Sequence, residues 1–180
     1  EILITGGCSD SGCSPIERTA ELIDAATGKS TRAGKMHERR VSHFAAPLTD
    51  GRVLVAGGWN GSATTASAEI YDRQKNLFES VGAMTTARMD ATATTLKDGS
   101  ILIVGGAKST NHAIAHAEIF QAPSARFKPV ANMNEARAHH SAVRLQDGRV
   151  LIVGGLKIKN VATRTAEIFD PITASFQTTG

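Results

Sequence analysis

A chain of 180 residues with a formal net charge of +3, 21% charged residues and 41% hydrophobic ones has enough apolar material for a packed core and lacks the charge excess of a disordered tail. Its Lys and Arg are scattered, without basic runs or aromatic interleaving, so no nucleic-acid partner is expected. No apolar stretch approaches the roughly 18 residues that would span a bilayer, so no membrane span is expected, and with aromatics at only 4% the core must rest on Val, Ile, Leu and Ala.

The chain opens on Ile2-Leu3-Ile4-Thr5, a short continuous apolar run of the kind shown by a strand buried on both faces, followed by Gly6-Gly7. No signal-like region precedes it, and the natural N-terminus is expected upstream. The next loop holds the only cysteines, Cys8 and Cys13. A disulfide is the first expectation for this pair, free thiols the second and two ligands of a metal site the third. If oxidised, so small a ring would contribute about 2 kcal/mol by loop entropy and would point to an extracytoplasmic or secreted setting.

The opening run recurs as Val53-Leu54-Val55-Ala56-Gly57-Gly58, and again at residues 101–106 and 150–155. The first glycines stand at 6, 57, 105 and 154, with spacings of 51, 48 and 49, and such a period predicts a repeat architecture. The glycines are expected at sharp turns that exclude side chains, whereas Gly61, out in a loop, is expected to tolerate one.

Second strands follow in each unit at Ala20-Glu21-Leu22-Ile23, Ala68-Glu69-Ile70-Tyr71, Ala117-Glu118-Ile119-Phe120 and Ala166-Glu167-Ile168-Phe169. After a turn such as Asp170-Pro171-Ile172-Thr173, a third strand brings Phe78, Phe127 or Phe176 seven residues beyond the preceding Tyr or Phe. The first unit departs here, with Ile23 and Ser30 at those places. Met36, Met84 and Met133 then lead, four residues on, to Arg40, Arg88 and Arg137 and into an alternating strand closed by Asp50-Gly51, Asp98-Gly99 or Asp147-Gly148. Asp-Gly is a hairpin signal suited to turns with positive φ at both central positions.

Four short antiparallel strands per unit cannot bury two faces alone, and units of this length arranged about an axis predict a β-propeller. The double glycine, the aromatic at Tyr71 and the second aromatic seven later at Phe78 resemble the kelch repeat in its bacterial, Asp-Gly-rich form. Phe or Ser stands where that family usually has Trp, and the single tryptophan, Trp59, falls in a loop. The expected fold is therefore all-β: one kelch propeller segment over 1–180, with blade pieces of 1–35, 36–83, 84–132 and 133–180. That gives about three and three-quarter blades, the first lacking its Asp-Gly strand. Kelch propellers commonly have about six or seven blades, so self-association or a larger assembly is expected.

Strand alternation places the Asp-Gly and Asp-Pro turns on one face and the two longer connections on the other. The loops 8–19, 59–67, 107–116 and 156–165 differ from one another far more than the strands do, which is where binding is usually placed. The candidate ligand-binding rim is Trp59, His112, His139, His140, Lys157, Lys159 and Arg164. The last loop has three bases and no acid, which suits an acidic or sulfated partner. Arg40, Arg88 and Arg137 are expected to ring the channel mouth, with Glu21, Glu69, Glu118 and Glu167 at the same end, and repetition favours ion pairing between blades over ligand capture. Histidines such as His112, His116, His139 and His140 invite a metal reading, but they show no ligand spacing, and no metal or cofactor is expected.

The function read from these features is a non-enzymatic scaffold binding a protein or glycan through the long-loop face. The resemblance also implies an alternative, a fragment of a carbohydrate-active enzyme, since kelch-type propellers include a copper radical oxidase and a sialic acid mutarotase. The sole tyrosine, Tyr71, sits at a motif position without the cross-linked cysteine that the oxidase uses, and no catalytic residues are assigned.

Overall fold

The computed structural model describes residues 1–10 and 12–179; Gly180, the last residue of the expected outer strand, lies outside them. Four antiparallel sheets follow one another along the chain. The first contains β1 (Ile2–Thr5), β2 (Ala20–Ile23) and β3 (Ser30–Arg32), in that order. The second contains β4 (Phe44–Pro47), β5 (Val53–Ala56), β6 (Ala68–Asp72) and β7 (Leu77–Ser80). The third contains β8 (Thr92–Thr95), β9 (Ile101–Val104), β10 (Ala117–Gln121) and β11 (Arg126–Pro129), and the fourth β12 (Ser141–Arg144), β13 (Val150–Val153), β14 (Ala166–Asp170) and β15 (Ser175–Thr179). These are three complete blades and a first blade without its innermost strand.

The innermost strands β4, β8 and β12 adjoin one another across the seams. Asp90 N–H donates to the Ser42 carbonyl and His139 N–H to the Asp90 carbonyl. Each of these three residues holds a left-handed φ, 54°, 54° and 52°, so the same unusual backbone turn begins every inner strand.

The core is a series of seams between blades. Successive residues of a strand point to opposite faces, so β5 sends Val55 toward the first blade, into a cluster with Ala20, Leu22 and Met36 and with Tyr71 and Phe78 of its own blade. Leu54 goes the other way, to Ile101, Ile103 and Phe120 of the third blade. Each fully buried aliphatic here contributes about 1.5–3 kcal/mol. Within a blade, Tyr71–Phe78, Phe120–Phe127 and Phe169–Phe176 are cross-strand partners with ring centroids 4.9 Å apart, so the seven-residue spacing is the register of a hairpin with an aromatic pair across it.

Seams also explain where burial departs from the sequence. The apolar runs of the end blades are not buried on both faces: Ile2 and Ile4 are 54% and 49% exposed, and Val143 and Val153 are 55% and 42% exposed. Their sequence matches the inner runs, but one side of each end blade has no neighbour among the described residues.

The turns differ from expectation in one respect. In each Asp-Gly hairpin only the glycine has positive φ, 86° at Gly51, 83° at Gly99 and 103° at Gly148. Gly51 N–H donates to the Leu48 carbonyl and Leu48 N–H to that of Arg52, a β-turn followed by a left-handed glycine in place of a two-residue primed turn. Asp50 accepts from Arg52 N–H through its side chain, which fixes the turn without needing positive φ at the aspartate. On the opposite face, Cys8 and Cys13 are joined as a disulfide.

The double glycines hold left-handed backbone, and several of them do so where neighbours pack close. At Gly58, φ is +95° and a Cβ would lie 2.6 Å from the Val41 carbonyl oxygen and 2.9 Å from His43 Cβ; at Gly61, φ is +99° but the nearest atom would be Ile16 Cδ1 at 3.7 Å. Gly61 therefore does not tolerate a side chain freely, as its loop position suggested, because its backbone is left-handed too. Gly58→Val is expected to combine backbone strain with a clash against main chain, whereas Gly61→Val carries the strain alone, about 1 kcal/mol. Thermal melts should show a much larger loss for Gly58→Val, and equal shifts would contradict this account.

Candidate functional site

The connections leading into the inner strands hold the most highly charged buried positions of the molecule. Each runs between two blades and is bound by its backbone to one and by its side chains to the next. In the second and third blades' seam, Met84 N–H donates to the Ala66 carbonyl, Arg88 N–H to that of Thr65, and the Arg88 carbonyl accepts from Gly58 N–H. The Arg88 side chain turns to the following sheet, donating to the Gly105 and His116 carbonyls at 3.1 and 2.7 Å and to Glu118 at 2.6 Å. Glu118 also accepts from Thr85 N–H. Arg40 with Glu69 and Arg137 with Glu167 repeat the arrangement.

The three arginines are 0% exposed, which corrects their expected place at the channel mouth: they are interior clamps that no dissolved ligand reaches. Burial alone would raise the Glu69 carboxyl, yet hydrogen bonds from His37 N–H, the Arg40 guanidinium, the His37 ring and Glu38 N–H hold it below the ordinary carboxylate range. Glu21 is the exception of its series, exposed and accepting from the Ser30 hydroxyl.

His140, expected on the rim, is also buried, with Nε2 2.9 Å from Thr92 Oγ1 of the neighbouring blade. His43 repeats this contact with Thr5 at 2.8 Å. Burial, with the nearby arginine charge, lowers both rings to about 4. Such neutral rings fill the space over Gly6 and Gly105, which Phe44 fills over Gly57 because Ala91 stands at the third position. Tyr71 is likewise structural, buried against Phe78 with its hydroxyl donating to Asn76 Oδ1.

The remaining rim residues lie on loops tied side to side. Thr64 Oγ1 donates to the Lys108 carbonyl and Lys159 N–H to that of Asn111, joining three successive loops. A cleft of about 520 Å³ opens between the second and third blades, lined by Trp59, Ser62, Thr64, Thr85, Thr86 and Lys108. Trp59 is half-buried, while His112, His139, Lys159 and Arg164 are exposed. The structure brings His112 and Lys159 onto adjoining loops and sets His139 3.5 Å from Asp90 on the inner strands. Lys157 is not the free base its acid-free loop suggested, since it pairs with Glu135 of the preceding connection at 2.9 Å. Hydrogen bonds from Thr165, Thr163 and Lys157 hold the Glu135 carboxyl down at about 2.

Lys108 and the Thr85–Thr86 pair were not singled out from the sequence, although a signal existed. Glu38 accepts from the hydroxyls of Thr65 and Ser67, and Glu135 from those of Thr163 and Thr165. Where Thr86 replaces the acid, Ile114 and His116 stand at the positions of the hydroxyl residues, so aligning the repeats marks this one seam as different. Among the described residues no group of three or more His, Cys, Asp or Glu is arranged to hold a metal ion. No helix is long and apolar enough to cross a membrane.

Residues 40–85, which run from the first clamp arginine through the second blade, match the family model described as Kelch motif. The second unit carries a kelch motif. The chain is also similar to spermatocyte protein spe-26 of Caenorhabditis elegans, 36% identical over 61 residues, which is 34% of this chain and 10% of that protein. It thus spans about a tenth of the length of this curated relative. Kelch repeats serve in general as scaffolds for protein interaction.

Two outcomes follow from the buried charges. Arg88→Met should cost about 3–5 kcal/mol because it strands Glu118 in the seam, while Arg88→Met with Glu118→Leu should recover part of that loss; urea denaturation midpoints distinguish this from a clamp of no consequence, in which the two variants would be equal. For His43 and His140, the native rings bind fewer protons than the unfolded ones between pH 6.5 and about 4, so stability is complete above pH 6.5 and falls as the pH is lowered. At pH 5 each should cost about 2 kcal/mol, and His43→Gln with His140→Gln should flatten the pH dependence of melting; an unchanged slope would refute it.

Proposed function

We propose that this kelch segment is a non-enzymatic interaction module that takes a protein partner through its long-loop face. What supports the reading most is the cleft at the second and third blades, where a half-buried tryptophan and a lysine meet on loops braced by their neighbours. A rigid aromatic beside a mixed polar rim suits a protein hot spot. A glycan site would be expected to present several ring faces for stacking, and Trp59 is the only tryptophan in the chain.

The opposite face offers a second cleft, of about 450 Å³, between the third and fourth blades, lined by Leu96, Lys97, Asp147, Arg149, Pro171 and Ile172. Ile172 is 93% exposed there, which makes this face the natural control. With the wild-type chain as bait for its native partner, Trp59→Ala combined with Lys108→Ala should reduce recovery about tenfold or more at unchanged melting temperature, while Ile172→Ala leaves recovery intact. The reverse pattern would move recognition to the Asp-Gly face, and glycan-array binding abolished by Trp59→Ala would replace the protein partner with a sugar.

A further inference from the structure

The middle of the three clamp seams lacks an ion that the other two possess. Two residues before the clamp arginine stand Glu38, Thr86 and Glu135, and twenty residues after it stand Asn60, Lys108 and Lys157. In the first and third seams these positions meet: Asn60 Nδ2 donates to Glu38 Oε1 at 2.6 Å, and Lys157 Nζ lies 2.9 Å from Glu135 Oε1. The other carboxylate oxygen faces the clamp, 3.7 Å from Arg40 and 3.3 Å from Arg137. In the middle seam a base stands at the second position, but there is no acid at the first. Lys108 is exposed and, among the described residues, has no ion-pair partner. Its backbone is held as that of Lys157 is, Lys108 N–H donating to the His112 carbonyl and Lys157 N–H to that of Val161. The lysine therefore springs from the same turn that presents an ammonium to a carboxylate one blade further on.

Thr86 and Lys108 both line the 520 Å³ cleft beside Trp59, so the place that a carboxylate takes in the other seams opens here to a dissolved partner. Charge points the same way. Arg137, Glu167, Glu135 and Lys157 cancel, whereas Arg88, Glu118 and Lys108 leave one positive charge uncompensated. The His116 ring, at the position of the Ser67 and Thr165 hydroxyls, registers that excess: burial first, then the Arg88 and Lys108 charges, lower its pKa, and its Nδ1 is buried without a partner.

We propose that the cleft receives an acidic side chain of the protein partner, a glutamate or aspartate whose carboxylate lies between Lys108 and Thr86 and pairs with the lysine ammonium. This rests on the reading of the cleft as the partner site and names the chemistry it selects. The ammonium supplies the charge, the Ser62, Thr85 and Thr86 hydroxyls line the same space, and the tryptophan offers a ring face to the apolar residues flanking the acid. One uncompensated charge suits a carboxylate, while a phosphate monoester at about −1.5 to −2 would overshoot it, and a basic side chain would be repelled by Lys108 and Arg88.

The test is titration of the 180-residue chain with the end-blocked peptide acetyl-Ala-Leu-Glu-Leu-Ala-amide, followed by backbone amide shifts and calorimetry. Saturable one-to-one binding is expected, with the largest shifts at Thr86, Lys108 and the Trp59 indole N–H. Replacing the peptide's glutamate by glutamine should weaken it about tenfold or more, the effect of losing one charge-assisted hydrogen bond, and because this change leaves the protein untouched, a folding defect cannot mimic it. Thr86→Glu, which sets the chain's own carboxylate beside Lys108, should weaken the glutamate peptide by a similar factor, and so should Lys108→Met, both with unchanged circular dichroism spectra. Absence of saturation, equal affinity for the two peptides, shifts confined to the Asp-Gly face, or binding that Thr86→Glu leaves intact would overturn the proposal. So would a glutamine peptide that binds as tightly once its C-terminus is unblocked, since the carboxylate would then come from a chain end. Recovery of the native partner separates this inference from the reading beneath it: loss with Trp59→Ala but not with Thr86→Glu or Lys108→Met refutes the acidic contact alone, whereas recovery indifferent to Trp59→Ala refutes the cleft as the partner site, and the peptide titration still decides whether it takes a carboxylate.

Discussion

A buried arginine is expensive to desolvate, and this fold places one in every internal seam. Each is compensated by two carbonyls of the next blade and a glutamate that also receives backbone N–H groups. Taking the guanidinium away from water ties the connection to one conformation, because only that path delivers its five donors to fixed acceptors. The backbone of the same connection is hydrogen-bonded to the preceding blade. Consecutive sheets are thus fixed to each other by a polar hinge pin inside an otherwise aliphatic seam, and the main chain of that pin passes directly over Gly6, Gly57 and Gly105, where a Cβ would lie 2.4 to 2.5 Å from the Arg40, Arg88 and Arg137 carbonyl oxygens.

Much of this was legible from the repeat. Aligning four copies fixes the strands, the aromatic pair, the buried Met and Arg positions and the missing first inner strand, because each depends on spacing within one unit. What spacing could not convey is depth. Arg40, Arg88 and Arg137 looked like a ring at the mouth because arginine is usually solvated, and their burial depends on carbonyls contributed 17 to 28 residues later. His140 was misplaced for the same reason, its partner Thr92 being 48 residues away. The Asp-Gly turns were located correctly, but their type depends on whether a side-chain acceptor or left-handed backbone organises the aspartate.

The rim was legible as a location and poorly as chemistry. Loop divergence pointed to the face that carries Trp59, but pairing across loops decides which charges are available there. Lys157 is taken by Glu135 from another connection, while Lys108, without an ion-pair partner among the described residues, shares a cleft with the tryptophan. A count of bases in one loop cannot anticipate either outcome, because the acid and the aromatic come from different units.

The exchange at Glu38, Thr86 and Glu135 bears on how such an array can change over time. Two seams hold a carboxylate among hydroxyls, and in the middle one a threonine stands at the acid's repeat position, with Ile114 and His116 at those of the hydroxyl residues. Copying or transplanting a single repeat would set Glu135 against isoleucine, or Thr86 against hydroxyls deprived of their carboxylate acceptor. The units look interchangeable by period, yet each junction carries its own lock, so a lineage that gains or loses blades is constrained to do so by moving matched halves of two neighbours together.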